Sequence, residues 1–252
     1  MKLMQHISLL TFIFILFSCS SNDDGGNNID ANRPSSCINA TGITGVYWDY
    51  ANSIPPPFTQ TPILSNPGAQ FIHSQHPYLG ITIPQGYTAF ESQDFNIAPL
   101  GVDVVRNDNA AVWRYVPLSS YPEGTSLDNI LAYEINGMLN NFGSPPINQV
   151  LCSRTDQTTE FGFLQEINMR LLQFGDFTAL VYVLTARLPG LPVSVSASVS
   201  VAPTNEFENV VMDVFFPLSY QLLVSDRDTL SDRDQDGVPD IFDTDPDNPN
   251  VQ

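Results

Sequence analysis

FLQEINMRLLQFGDFTALVYVLTARL, residues 163–188, changes from a helical repeat upstream to a repeat of two, and it is interrupted at Gln173-Phe174-Gly175-Asp176. A spacing of two puts successive side chains on opposite sides of a strand, and a Gly in a short link supplies the positive φ that a tight hairpin needs. The stretch therefore predicts two antiparallel strands. The second, Phe177–Leu188, is apolar at nearly every position, which predicts a strand covered on both faces. Downstream, Pro192–Val201 reads PVSVSASVSV: Val193, Val195, Ala197, Val199 and Val201 alternate with four serines. That alternation predicts a strand with one buried and one wet face. The next run, ENVVMDVFFPLSYQLL from Glu208 to Leu223, is rich in β-branched and aromatic residues and reads as a further strand.

Upstream of the hairpin lies one helix. In TSLDNILAYEINGMLNNFG, Thr125–Gly143, the residues Leu127, Ile130, Leu131, Ile135, Met138, Leu139 and Phe142 fall along one stripe. Thr125 with Asp128 matches a capping box, and Gly143 closes the C-terminus. The stripe is that of a helix packed on a sheet. Earlier still, Gly45–Tyr50 (GVYWDY) and Ala111–Leu118 (AVWRYVPL) have strand character, and Pro55-Pro56-Pro57 breaks any regular ladder between them. The sum is an α+β class: an antiparallel meander of at least four strands with one main helix across it. This arrangement resembles small helix-on-sheet domains of photosystem-assembly type.

The 252-residue chain carries 27 acidic against 9 basic residues, a formal charge of −18, and its only lysine is Lys2. Such a surface repels phosphate backbones and anionic headgroups, which argues against nucleic acid as a partner. The N-terminus opens with Lys2 and an apolar run from Ile7 to Phe17, then turns polar after Ser18-Cys19. A mostly apolar run of eleven residues is a secretory h-region; a spanning helix needs roughly twenty. Leu16-Phe17-Ser18-Cys19 resembles a bacterial lipobox, with Phe17 bulkier than usual at its position, so the resemblance implies diacylglycerol on Cys19. Ser20-Ser21-Asn22-Asp23-Asp24 resembles the acidic export signal of Bacteroidota surface lipoproteins. Together these imply a protein lipid-anchored in the outer membrane and facing the exterior, with the membrane as one partner. SSNDDGGNNIDANRPSS after Cys19 is too polar to fold alone and reads as a tether. The expected organisation is a signal at 1–18, a tether at 19–44, a central domain at 45–223 and a tail at 224–252. In an exported chain the remaining cysteines, Cys37 and Cys152, are expected to form a disulfide.

The tail is the most acidic segment. From Asp226 to Asp247 there are nine Asp against Arg227 and Arg233, a local charge of −7 within 22 residues. Carboxylates at that density repel one another unless a cation sits among them. Counting from Asp232 as position 1, Asp234 stands at 3, Asp236 at 5, Gly237 at 6, Val238 at 7, Asp240 at 9 and Asp243 at 12. This is the ligand schedule of a twelve-residue calcium loop: side-chain oxygens at 1, 3 and 5, a carbonyl at 7, a water-mediated ligand at 9 and a closing carboxylate at 12. Pro239 and Pro246 oppose flanking helices, which separates the segment from an EF-hand sensor. The phrase DRDQDGVPDIFDTDPDNPN, Asp232–Asn250, resembles a thrombospondin type 3 repeat. That resemblance implies that Asp243, Asp245 and Asp247 begin a second loop; the family's cysteine is missing here. Asp228-Thr229-Leu230 resembles an O-glycosylation sequon of exported Bacteroidota proteins, with Thr229 as acceptor.

For the central domain the catalytic signals are sparse. Only His73 and His76, in FIHSQHPY, survive signal cleavage, and no serine lies in a G-x-S-x-G elbow. The two histidines read as polar loop or surface residues. Glu160 with Glu166, and Asp94 with Asp103, are carboxylate pairs whose separation spacing alone does not fix. Trp48, Tyr50 and Trp113 are either core aromatics or a sugar-stacking platform. The expected function is a non-catalytic surface binding or adhesion module for a glycan or protein ligand, with calcium in the tail. A secreted hydrolase acting on glycans or other polymers, and a structural envelope component, are the alternatives.

Overall fold

The computed structural model describes residues 29–56, 58, 62–76, 79–122, 124–160, 163–187 and 192–228. Cys19, Thr229 and the aspartates from Asp232 to Asp247 lie outside them. The chain is α+β. Helix α1 (Gly42–Ala51) precedes a hairpin of β1 (Pro67–Ile72) and β2 (Gly80–Pro84). Then come β3 (Tyr87–Ser92), β4 (Gly101–Arg106), β5 (Val112–Tyr121), α2 (Leu127–Asn141), β6 (Ile147–Glu160), β7 (Phe163–Phe174), β8 (Phe177–Arg187) and β9 (Val193–Pro203). A continuous helical run closes the described chain: α3 (Phe207–Val210), a π-helical segment (Val211–Phe215) and α4 (Phe216–Asp228).

Strands β3 to β9 form one antiparallel sheet of seven in the order β3-β4-β5-β9-β8-β7-β6. It is two meanders joined where β5 pairs with β9, at Trp113↔Ser200 and Val116↔Ala197 among others. The hairpin expected at Gln173–Asp176 is present: Phe174 pairs with Phe177 and Gly175 has φ +49°. Strand β8 lies between β7 and β9 and is covered on both faces, as its composition requires. Val181 and Val183 point toward α2, and Leu180 points the other way.

Helix α2 is the helix the stripe predicts, with Ile130, Leu131 and Met138 buried on the valines of β8 and β9. Its cap differs from the expected box. Ser126 is the N-cap and accepts from the Asn129 amide at 3.4 Å, while the Thr125 hydroxyl bonds the Pro122 carbonyl at 2.7 Å. Asp128 then sits at the second helical position and instead accepts from the Asn168 side-chain amide at 2.8 Å.

The opposite face of the sheet corrects three strand-level expectations. Gly45–Tyr50 is helical, within α1, and its run Gly45–Asp49 is buried throughout. A helix enclosed on most sides is apolar all round, so the local pattern carries no helical stripe to read. Glu208–Leu223 is helical as well. From Phe207 onward the buried residues Phe207, Val210, Val211, Val214, Phe215 and Leu218, joined by Phe216, repeat at the helical interval, which overrides their β propensity. Pro217 lacks an N–H to continue the ladder, and the wider π segment immediately upstream absorbs the break. These helices close over the serine side of β9, which is therefore not wet: Ser200 is buried, with the Tyr47 hydroxyl 2.8 Å from its Oγ. Burial pushes the Tyr47 phenol up to about 12. Tyr47 packs edge-on against Phe216 at 5.0 Å, and Phe58 packs likewise on Phe216 at 4.8 Å.

The packed region also begins before residue 45. Cys37 and Ala40 are buried, and Cys37 is joined to Cys152 of β6 by a disulfide with the Cα atoms 6.0 Å apart. The buried Asp49 carboxylate holds the same segment: its Oδ1 accepts from the Ser36 amide at 2.9 Å and the Ser36 hydroxyl at 2.6 Å. Strand β6, which has no alternating pattern, is a mostly exposed edge strand and was not legible as part of the meander.

Candidate binding groove

Helix α2 packs on β7, β8 and β9, while the sheet continues past it through β5, β4 and β3. The flank of α2 and the near side of that extension enclose a groove with a cavity of about 170 Å³. The sheet contributes Ser92, Gln93, Asp103, Val112, Arg114 and Val199, and the helix contributes Tyr133, Glu134, Gly137, Met138, Asn141 and Phe142. Register places the strand residues together: Asp103 pairs with Arg114 and Phe90 pairs with Asp103, so all three share one face. Phe90 is 46% exposed and extends the apolar floor toward the sheet edge.

Arg114 organises the polar end. Its Nε donates to Glu134 Oε2 at 2.6 Å and its Nη2 to Glu134 Oε1 at 3.3 Å. Nη1 donates to Asp103 Oδ1 at 3.0 Å and to the Ser92 hydroxyl oxygen, and Nη2 also donates to the Gln93 carbonyl. A guanidinium has five N–H donors, and all five are used inside the protein. Both Glu134 oxygens accept from the guanidinium, the bidentate geometry of an Arg–carboxylate pair. Burial opposes the charge on Arg114, but Glu134 and Asp103 more than offset it and hold the guanidinium protonated beyond its ordinary range. Glu134 is only 2% exposed. The Ser92 hydroxyl in turn donates to Asp103 Oδ1 at 2.9 Å.

The loop after β3 is fixed by a second carboxylate. Asp94 is fully buried; its Oδ1 accepts from the Asn96 and Ala98 amides at 2.9 Å each and its Oδ2 from the Tyr121 hydroxyl at 2.7 Å. That loop carries Phe95 edge-on to Tyr133, with ring centroids 5.7 Å apart. Burial pushes the Tyr133 phenol up; Arg114 pulls it down, and Glu134, Asp94 and Asp103 push it further up. The groove thus has an apolar side formed by Val112, Met138 and Phe142, and a polar side whose hydrogen bonds are largely internal.

Other residues singled out in the sequence have structural partners. Trp48 and Trp113 are buried, and Tyr50 stacks on Tyr220 at 5.8 Å and packs against Phe216, so these aromatics belong to the second core rather than to an exposed platform. His73 is also buried, not on the surface: its Nδ1 accepts from the Gln75 and His76 amides at 3.2 Å each, closing the turn after β1. Glu166 accepts from Arg187 at 2.9 Å and from the Thr185 hydroxyl at 3.2 Å. Asp94 and Asp103 occupy separate networks, the first with Tyr121 and the second with Arg114. Among the described residues no group of three or more His, Cys, Asp or Glu is arranged to hold a metal, and no helix is long and apolar enough to cross a membrane.

No protein-family model matches the sequence, and no curated protein matches it. Among solved structures, the Ran-binding protein Mog1p of Saccharomyces cerevisiae aligns at 13% identity and a TM-score of 0.29, over 64% of this chain and 92% of that one. LpqN of Mycobacterium tuberculosis, described as involved in cell envelope biogenesis, aligns at 17% identity and a TM-score of 0.27, over 59% of this chain and 83% of that one.

Proposed function

We propose that this protein is a lipid-anchored envelope protein whose central domain is a non-catalytic binding module held at the cell exterior. The groove between α2 and β3–β5 is the observation that carries the reading. Its one guanidinium is held by both carboxylates, so it offers a shaped recess and not a proton-transfer pair. A preformed recess lined by apolar walls and a few fixed polar groups is what recognition of a small group requires. Gly137 gives a direct test, because a Cβ there meets nothing within 4 Å and a longer side chain projects into the open recess. On glycan and peptide arrays the full mature chain is expected to retain a ligand set that Gly137→Leu, equally stable, releases. Identical array profiles for the two proteins would remove the groove from the reading.

The address rests on the lipobox ending at Cys19 and the acidic Ser20–Asp24 signal, and the tail on its ligand schedule. In this reading Asp232, Asp234, Asp236, the Val238 carbonyl, Asp240 and Asp243 wrap one calcium ion, and Asp245 with Asp247 contribute to a second. The ion stiffens a segment with little apolar surface of its own, at an affinity in the extracellular range of roughly 10⁻⁴ to 10⁻³ M. Calorimetric titration of the full mature chain with calcium is expected to release heat in that range, and Asp234→Asn with Asp236→Asn to abolish it. A flat titration up to about 10 mM, roughly ten times the weaker limit, would withdraw the calcium proposal and leave the groove untouched.

A further inference from the structure

We propose that the groove takes a primary ammonium group on an apolar stem, either the end of a free alkyl diamine or the lysine side chain of a partner. The inference rests on the groove being the binding site and specifies what enters it.

Size comes first. A cavity of about 170 Å³ is close to the roughly 150 Å³ that admits one benzene ring in an apolar cavity, so the occupant is a single side-chain-sized group. Charge selects its sign. The lining contains two carboxylates, Asp103 and Glu134, against one guanidinium, and the fully buried Asp94 acts electrostatically on the lining residues Glu134 and Tyr133. An entering anion would meet these carboxylates and find no donor on Arg114, whose N–H groups are all committed. A cation offsets the residual charge.

Asp103 supplies the contact. The residue is only 9% exposed, and its Oδ1 already accepts from Arg114 and Ser92. Its Oδ2 accepts from none of the described residues, yet it is not sealed from solvent. A nearly buried carboxylate oxygen with an open side and no partner is a strong acceptor for an N⁺–H donor. The apolar stem then runs along Val112, Met138 and Phe142, as the methylenes of a lysine do when its charged end is fixed.

The test uses the full mature chain in detergent, with the Gly137 amide and Met138 methyl signals followed by NMR. The probes are 1,5-diaminopentane, a blocked Gly-Lys-Gly peptide and hexanoate. Both amines are expected to shift the two signals with a Kd on the order of 1 mM, a value consistent with a ligand of this size. Asp103→Asn is expected to weaken them about tenfold or more, the loss of one charge-assisted contact. Gly137→Leu, which leaves the ion cluster intact, is expected to abolish the Met138 methyl shift. A peptide that binds more tightly than the diamine supports a protein partner, and the reverse order supports a free polyamine; both sustain the proposal. Hexanoate binding as tightly as the amines would overturn the ammonium inference while sparing the groove. No shift with any probe would overturn both.

Discussion

Arg114→Met is expected to destabilise the domain by about 3 to 5 kcal/mol, the cost of leaving a buried charge without its partner. The substitution keeps the length of the stem but strands Glu134, only 2% exposed, and removes a donor from Asp103. For a domain of this size each kcal/mol moves the melting temperature by roughly 2 to 4 °C, so a fall of about 6 to 20 °C is expected. The loss depends on pH in a defined direction. Burial already pushes the Glu134 carboxyl up and Arg114 opposes it, so removing Arg114 raises the folded-state value further. A carboxyl with a raised folded-state value favours the folded protein once it is protonated and disfavours it as pH rises through that value. The deficit of the variant relative to wild type should therefore be largest above the raised folded-state value and shrink as pH falls toward the ordinary carboxylate range. Adding Glu134→Gln to Arg114→Met removes the stranded charge and is expected to recover most of the loss at pH 7. Urea unfolding of the three proteins checks both statements. An Arg114→Met domain within about 1 kcal/mol of wild type, the worth of a surface pair, would show that the guanidinium does not hold these carboxylates.

That pair went unread in the sequence, although one half of it left a signal. Glu134 stands four residues from both Ile130 and Met138, in the middle of the α2 stripe, and a charge there signals a buried partner. The partner was not legible, because Arg114 reaches Glu134 only after β5 pairs with β9, across the whole of α2 and the β6–β8 meander. The same limit applies to the groove. Local periodicity predicted α2, the β7–β8 hairpin and the buried valine face of β9, each of which is specified by neighbours in sequence. Nothing in the periodicity of β3, β4 and β5 says that they extend the sheet beyond the helix and leave its flank open. The serine face of β9 misled for a related reason: alternation reports polarity, and small hydroxyls satisfied by Tyr47 and the Val116 carbonyl pack under helices as readily as they face water. In α1 and in Phe207–Asp228, aromatic and β-branched residues chosen for a tightly filled second core imitate strand composition. The second of these helices carries a helical spacing from Phe207 to Leu218, but its composition led to the reading of a strand.

Opening the Cys37–Cys152 bridge is the second change with a large expected effect. The bond spans a sequence separation of 115, and a crosslink of that length removes much of the freedom of the unfolded chain. In the chain-entropy account a loop near this size contributes about 4 to 5 kcal/mol, and measured losses for native bridges run from about 2 to 5 kcal/mol. Cys37→Ala with Cys152→Ala is therefore expected to lower unfolding stability within that range. Contacts that survive the substitution keep the segment in place while the domain is folded. Asn39 donates to the Leu151 carbonyl at 2.9 Å, and Asp49 retains Ser35, Ser36 and Arg33 at 3.1, 2.9 and 3.3 Å. The bridge fastens α1's approach to β6, the sheet edge farthest from β3, so the groove lies at the other end of the sheet. Global stability should fall while the amine-induced shifts at Gly137 and Met138 stay unchanged at temperatures well below melting. Denaturant unfolding paired with those spectra separates the two roles. If the double variant kept its stability, the bridge would not be limiting the unfolded chain, and if it lost the groove signals while folded, the two ends of the sheet would be coupled more tightly than this packing allows.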